Sequence, residues 1–409
     1  MDFNDSPEEA AFRTEARAFL DQHLELLPDG ASGPGMGESL TPEDVAKAQA
    51  WQKTKAEAGW ACISWPKEFG GRGATPIQNL IWNQEQARYD HPNTSVFGIG
   101  TGMCGPTILA HGTDEQKTKW IPKLVSGEEI WCQLFSEPSA GSDLAGLRMS
   151  AVQDGDGWVL NGQKIWTSGA NWCEWGVIVA RSDPNAAKHA GLTYFVVNMR
   201  DPGIEIRPIT QINGGQGFNE VFFTDVRISD AWRLDAIGNG WRVAITTLMN
   251  ERASIGAAGG ESLIDDLVEY AQQLPMGSGR AIDDPAVRQR IADFYVRSKG
   301  IEYTGHRTVT TLSKGGFPGP EASLGKLVGG AMMQEISAFA MDIEGQAGAL
   351  MNEAGFQSNY LGIPGLRIAG GTDEVLRNII AERVLGLPPE TRMDKEVSFK
   401  DIPTGPPSK

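Results

Sequence analysis

The chain has 409 residues, 40% of them hydrophobic and 22% charged, which is material for two or three domain cores in a water-soluble fold. Thirty-six basic residues against 52 acidic ones give a formal charge of -16, which argues against nucleic acid as a partner, since phosphate binding needs basic surface. Four cysteines without CxxC spacing and five scattered histidines argue against a zinc site or a disulfide framework and fit a reducing compartment.

The opening residues Met1-Asp2-Phe3-Asn4-Asp5 show no basic stretch followed by an apolar run, and no apolar segment of about 18 residues occurs anywhere. A cytoplasmic protein with no membrane span is therefore expected. Residues 1–128 read as a helical domain. Phe12, Ala16, Phe19 and Leu20 recur at helix spacing, as do Val45, Ala48, Gln49 and Gln52 less clearly. Stretches rich in Gly and Pro, at 28–37 and 65–73, separate the helices. Thr113-Asp114-Glu115-Gln116 opens another, with a hydroxyl at the N-cap and acids in its first turn.

Residues 129–239 change to a period of two. The segment 151–160 reads as a hairpin across Asp154-Gly155-Asp156-Gly157, and strands follow at 175–180, 192–197, 204–209 and 221–228. Short strands without intervening helices predict an antiparallel sandwich or barrel. Residues 240–396 return to long helices, at about 241–273, 284–314, 321–351 and 373–386, which predict a bundle. Residues 397–409 read as a flexible tail.

Several segments carry candidate chemistry. In Ser136-Glu137-Pro138-Ser139-Ala140-Gly141-Ser142-Asp143, small residues and hydroxyls let the main chain approach a flat or anionic ligand. Lys164-Ile165-Trp166-Thr167-Ser168-Gly169 is a second strand end, bearing a large aromatic and two hydroxyls. Two such loops in one β-region suggest a cofactor cradle; two ordinary turns are the plainer reading. Gly100-Thr101-Gly102-Met103-Cys104-Gly105 matches GxGxxG, but its helical surroundings favour close packing or a ligand-facing loop over a dinucleotide site. Glu251, within Leu248-Met249-Asn250-Glu251-Arg252, is either a surface residue of an amphipathic helix or a carboxylate facing apolar neighbours. In the second case desolvation would raise its pKa toward that of a general base. Gly370-Gly371-Thr372-Asp373-Glu374 is a helix start with Thr372 as N-cap.

Taken in order, these pieces resemble the acyl-CoA dehydrogenase family over nearly the whole chain. The motifs are Trp65-Pro66 with Phe69-Gly70-Gly71; residues 112–117, Gly-Thr-Asp-Glu-Gln-Lys; the signature at 136–143; Asn161-Gly162-Gln163-Lys164; and Gly371-Thr372 before the last helix. The resemblance implies an α+β fold with a helical N-terminal domain, a central antiparallel β-domain and a C-terminal four-helix bundle. It also implies FAD bound with Gln133, Phe135, Ser136, Gly141 and Ser142 on one side and Trp166, Thr167 and Ser168 on the other. Thr372 and Glu374 match positions near the cofactor in the loop before the last helix. Ser142, Arg252 and Gly370 match positions around the thioester substrate.

The reaction implied is α,β-desaturation of an acyl-CoA to the trans-2-enoyl-CoA, with electrons passed to an electron-transfer flavoprotein. A carboxylate takes the α-proton, and the β-hydrogen leaves as hydride to the flavin. Most members place that carboxylate immediately before the Gly-Thr of the last-helix loop, where this chain has Gly370. A minority, including isovaleryl- and long-chain acyl-CoA dehydrogenases, place it in a Glu-Arg pair on the first bundle helix, which Glu251-Arg252 matches. The family's Arg-x-x-Phe-Gly segment is absent and Arg280 is its expected substitute; Gln-x-x-Gly-Gly-x-Gly is altered at 342–348. These departures resemble bacterial branches acting on sterols or other bulky acyl-CoAs, in which two related chains form an α2β2 assembly. A homodimer, a homotetramer and such a heterotetramer all fit. An acyl-CoA oxidase or flavin monooxygenase of the same superfamily, or a structural subunit, are the alternatives. Gly259-Gly260 and residues 98–105 hint at room for the acyl group.

Overall fold

A computed structural model describes residues 5–28, 40–256, 261–315, 319, 323–351, 355–391, 394 and 397–403, with the backbone alone for 252–256, 261 and 262. The Gly259-Gly260 pair and most of the predicted Gly/Pro stretch at 28–37 lie outside the described residues. The chain forms two compact units. One comprises Met1–Gln211, Gly215–Glu251 and Glu390–Lys409; the other comprises Ile212–Gly214 and Arg252–Pro389.

The first unit begins with helices that open by one repeated device. α1 (Pro7–His23), α2 (Pro42–Glu57), α3 (Pro76–Gln86) and α5 (Asp114–Ser126) each start from a Ser or Thr N-cap. In each, the cap hydroxyl accepts from the third backbone amide and an acid or glutamine there returns the bond, satisfying two otherwise orphaned donors. Proline at the first helical position fixes the entry of the first three. Two-residue strands β1 (Glu25–Leu26) and β2 (Tyr89–Asp90) pair antiparallel between them. The apolar face of α1, Phe12, Ala16, Phe19 and Leu20, is buried in a cluster with Trp60, Ile81 and Trp82. On α3, Glu85 is buried among Arg13, Arg17 and Arg88.

The GxGxxG segment is helical throughout. Gly100–Cys104 is one turn of π-helix running into α4 (Gly105–His111). A Cβ on Gly105 would lie 2.1 Å from the Trp65 indole, so the last glycine is required by close packing and not by a dinucleotide.

Eight strands form one sheet: β3 (Trp131–Leu134), β4 (Ser150–Asp154), β5 (Gly157–Ser168), β6 (Trp175–Arg181), β7 (Leu192–Asn198), β8 (Ile204–Ile209), β9 (Phe218–Ser229) and β10 (Arg233–Leu234). The order is β10-β7-β6-β4-β5-β9-β8, with β3 paired to β6. The predicted hairpin is present, with Asp154 opposite Gly157. The pairing is not wholly antiparallel, because β3 runs parallel to β6 from Trp131↔Trp175 to Leu134↔Ile178. Both faces of the centre are covered. Val177, Val179, Tyr194 and Val196 point into a core shared with Trp120, Leu124 and Val243. Their neighbours Ile178, Ala180, Phe195 and Val197 point into a second core with Val45, Ala48, Trp158 and Phe223. A strand buried on both sides reads as a continuous apolar run, as β6 and β7 do. α6 (Gly240–Gly256) follows the sheet.

Residues 397–403, expected as part of a loose tail, are held on the β-region. Ser398 bridges Ala187, the Phe399 amide donates to Ala186 O, and Lys400 N donates to Pro184 O. The Phe399 ring is buried, with the Arg181 guanidinium 3.6 Å from its centroid. An apolar ring that finds a cationic lid binds where composition alone suggests freedom.

The second unit contains α7 (Glu261–Gln273), a hairpin of β11 (Pro275–Met276) and β12 (Gly279–Arg280), α8 (Pro285–Ser313), α9 (Ser323–Glu344), α10 (Phe356–Ile368) and α11 (Asp373–Arg383). Leu267, Phe294, Met332, Ile336, Ala340 and Phe356 form its core. Within the predicted helix 241–273 the described residues are helical, as α6 and α7 on either side of 257–260, and α9 ends at Glu344 before a 3-10 turn. α10 was not predicted; its glycines and the internal Pro364 break the pattern by which a helix is recognised.

Candidate active site

The signature loop and the end of β5 are locked together by a buried ion pair. Lys164 is fully buried on β5, and its Nζ donates to Glu137 Oε1 at 2.9 Å, Phe135 O at 3.0 Å and Val179 O at 2.9 Å. Burial pulls the Lys164 pKa down, and the Glu137 carboxylate works against that shift. Glu137 also accepts from the Arg148 and Met149 amides, and the Ile165 amide donates to Ser136 O. Glu137 and Ala140 exchange backbone hydrogen bonds, making a tight turn. Ser139 within it and Gly141, Ser142 and Asp143 beyond it are exposed. A Cβ on Gly141 would meet nothing within 4 Å, so the glycine leaves main chain uncovered toward solvent. Lys188 anchors the far end, reaching Asp143 at 2.8 Å and Asp394 at 2.7 Å.

At the end of β5 a register shift between Lys164 and Thr167 turns Trp166 into the left-handed region, with φ of 60°. That conformation is costly for a bulky residue and is found where surrounding structure imposes it. The indole is 55% exposed and supported edge-on by Phe218 at 6.0 Å. It is thus fixed but uncovered, a platform for a flat ring. Beside it, the Thr167 hydroxyl is buried without a hydrogen-bond partner among the described residues, and Ser168 is half-buried. Buried Asn219 on β9 donates to Thr167 O and holds the strand end. An uncovered aromatic face, an orphaned hydroxyl and open main chain at Gly141 fit a flavin and its attached chain.

Gln133 on β3 and Glu251 on α6 meet: Gln133 Nε2 donates to Glu251 Oε2 at 3.4 Å. One helical turn before Glu251, buried Thr247 shares its hydroxyl with Thr107 and with the Tyr194 hydroxyl, each at 2.9 Å. Residues four apart lie on one face, so this pinned threonine directs Glu251 toward β3. The Phe135 ring is buried edge-on against Tyr194 at 5.9 Å, part of the same support. Neither the Glu137–Lys164 pair nor the Thr107–Thr247–Tyr194 set emerges from sequence reasoning. The available signal was a charged residue at a core-facing position in each of two motifs.

In the second unit, Gly370 and Gly371 have φ of 63° and 95° and lead into Thr372, whose hydroxyl accepts from the Val375 amide. Lys326 Nζ donates to Gly371 O at 2.5 Å, and Arg367 pairs with buried Asp373 at 2.6 Å, which fixes the helix start. Glu374 is exposed on its first turn. Arg280 is exposed on β12, its guanidinium donating to Gln273 O. The Arg252 side chain lies outside the described residues.

Comparison with known proteins identifies the family. The models of the acyl-CoA dehydrogenase N-terminal, middle and C-terminal domains match residues 6–128, 132–226 and 238–385. Over 398 residues the chain is 37% identical to acyl-CoA dehydrogenase IpdE1 of Mycobacterium tuberculosis, covering 93% of this chain and 98% of that protein. Among solved structures, the Tcur3481-Tcur3483 steroid ACAD superposes with a TM-score of 0.78 at 27% identity, covering 95% of this chain and 100% of that one. The ChsE4-ChsE5 complex of M. tuberculosis gives a TM-score of 0.76 at 28% identity, with 95% and 100% covered. The chain belongs to the acyl-CoA dehydrogenase family and is an FAD-dependent oxidoreductase acting on acyl-CoA.

Proposed function

We propose that this chain desaturates a bulky, ring-bearing acyl-CoA between Cα and Cβ, with Glu251 as the base and an electron-transfer flavoprotein as the acceptor. The meeting of Glu251 with Gln133 carries the reading, because it brings a carboxylate to the strand that enters the signature loop. Bound FAD supplies the hydride acceptor. Gln133, Ser136, Gly141, Ser142, Trp166, Thr167 and Ser168 would hold it, and Trp166 offers the ring a fixed aromatic face. Glu251 takes the α-proton, and the Thr247 anchor holds its helix so that the carboxylate meets the substrate without first reorganising. Hydrogen bonds to the thioester carbonyl stabilise the charge that develops as the proton leaves. Gly370, where most members of the family carry the base, has no side chain to serve, and Glu251 matches the alternative position on the first bundle helix, which supports this reading.

The choice of substrate rests on the steroid ACAD among the structural relatives, and the choice of a multi-chain assembly rests on the ChsE4-ChsE5 complex. Glu251→Gln should lower kcat by on the order of 10³-fold with FAD content unchanged. Near-normal turnover would overturn the assignment. A panel of short, branched, long and steroid side-chain acyl-CoAs, scored by anaerobic bleaching of the flavin absorbance, tests the substrate. Native mass spectrometry, with and without a related chain, tests the assembly.

A further inference from the structure

The core-facing row of α2 carries one residue that helix patterning does not explain. Val45, Ala48, Trp51, Gln52 and Lys55 recur at spacings of three and four and are all buried. Gln52 satisfies its amide by donating to Val125 O at 2.9 Å. Lys55, only 6% exposed, makes no ion pair and no side-chain hydrogen bond among the described residues; its ammonium lies 5.8 Å from the Trp51 ring centroid. Burial of the stem costs the ammonium part of its hydration, which an anion within reach would restore.

Lys55 lines a solvent-open cleft of about 240 Å³. Asn79, Asn83 and Gln86 reach the same cleft from one face of α3, with Ser64 and Thr101 completing its polar wall. The Gln86 amide oxygen is buried, so it is the amide nitrogen that Gln86 can offer to an anion there. Burial draws the Lys55 amine down to about 8, which still leaves it mostly protonated at pH 7. One ammonium, three side-chain amides and two hydroxyls, facing a cleft large enough for several waters, form a built site. We infer that this cleft binds a small monocarboxylate anion, with its charge on Lys55 and hydrogen bonds from the amides of α3. A single cation matches a single negative charge, and the wall holds no arginine to neutralise a dianion.

The test uses the purified holoenzyme at pH 7 with propionate as probe, against chloride and inorganic phosphate at matched ionic strength. Propionate should raise Tm in a saturable manner, and calorimetric titration should return a single site. Lys55→Met, apolar and of similar length, should abolish that shift, Lys55→Arg should retain it, and Gln86→Leu should weaken binding by about tenfold. Equal stabilisation of Lys55→Met, equal stabilisation by phosphate, or no response to propionate would each overturn the inference. If Lys55→Met fails to fold, Gln86→Leu and the propionate–phosphate comparison on the unaltered protein still decide it.

Discussion

The ion pair between Glu137 and Lys164 is the strongest test of how the signature loop is held. Its side chains are 5% and 0% exposed. Replacing Lys164 by Met leaves the Glu137 carboxylate buried on two backbone amides and removes the donor from Phe135 O and Val179 O. Breaking a buried pair from one side costs about 3–5 kcal/mol. For a unit of this size that lowers Tm by on the order of 10 °C. Glu137→Gln should cost a similar amount, because an amide nitrogen then faces donors. The double variant should be at least roughly 2 kcal/mol more stable than the sum of the single losses, since it removes both charges together. Differential scanning calorimetry on all four proteins closes the cycle, and FAD content measured alongside should fall in both single variants. Single losses below about 1 kcal/mol, or strict additivity, would refute the claim that this pair fastens β5 to the loop.

Other consequences are as direct. Burial pushes the Glu85 carboxyl up, but hydrogen bonds from Arg17, Arg13 and Arg88 outweigh it and hold the group at about 2, against an ordinary 4.5. The folded-state pKa is depressed, so the stabilisation, roughly 3 kcal/mol, is present above pH 4.5 and is lost as pH falls from about 5 to 2. Glu85→Gln should flatten the acid limb of a stability–pH curve; an unchanged limb would exclude the cluster as its source. Gly105→Ala should destabilise by about 1–3 kcal/mol through displacement of the Trp65 indole, measured by urea denaturation, and a neutral result would show the contact to be soft. Phe399→Ala should free residues 397–403 to limited proteolysis while core amides keep their protection from exchange; unchanged cleavage would show that the ring does not anchor them.

The sequence was most legible where burial imposes a period. Phe12, Ala16, Phe19 and Leu20 on α1, and the runs that became β6 and β7, are read from spacing alone because one or both faces must be covered. Helix starts at Thr113 and Thr372 are equally local, each a hydroxyl satisfying an amide within the next three residues. The candidate base was reached in two steps: apolar neighbours marked Glu251 as a carboxylate that could be desolvated, and the motif resemblance, with Gly370 unable to ionise, favoured that reading over a surface residue. What stayed hidden depends on partners far apart in the chain. Lys164 looks like a surface charge until Glu137 is found beside it, and Thr247 is an unremarked threonine until Thr107 and Tyr194 close on it. α10 was missed for a local reason, since Pro364 and its glycines erase the signal while tertiary packing of Phe356 and Ile363 supplies the stability.

The salt links of Lys188 tie Asp143 in the signature loop to Asp394, about 250 residues later. On the ribosome, at roughly 5–20 residues per second, the loop is made about 12–50 seconds before its last tether emerges. The nascent chain must therefore carry an incompletely braced signature loop through most of its synthesis. Chains that stop short of residue 394 lack that brace, and so premature termination near the end should yield protein that folds its sheet but retains the flavin poorly.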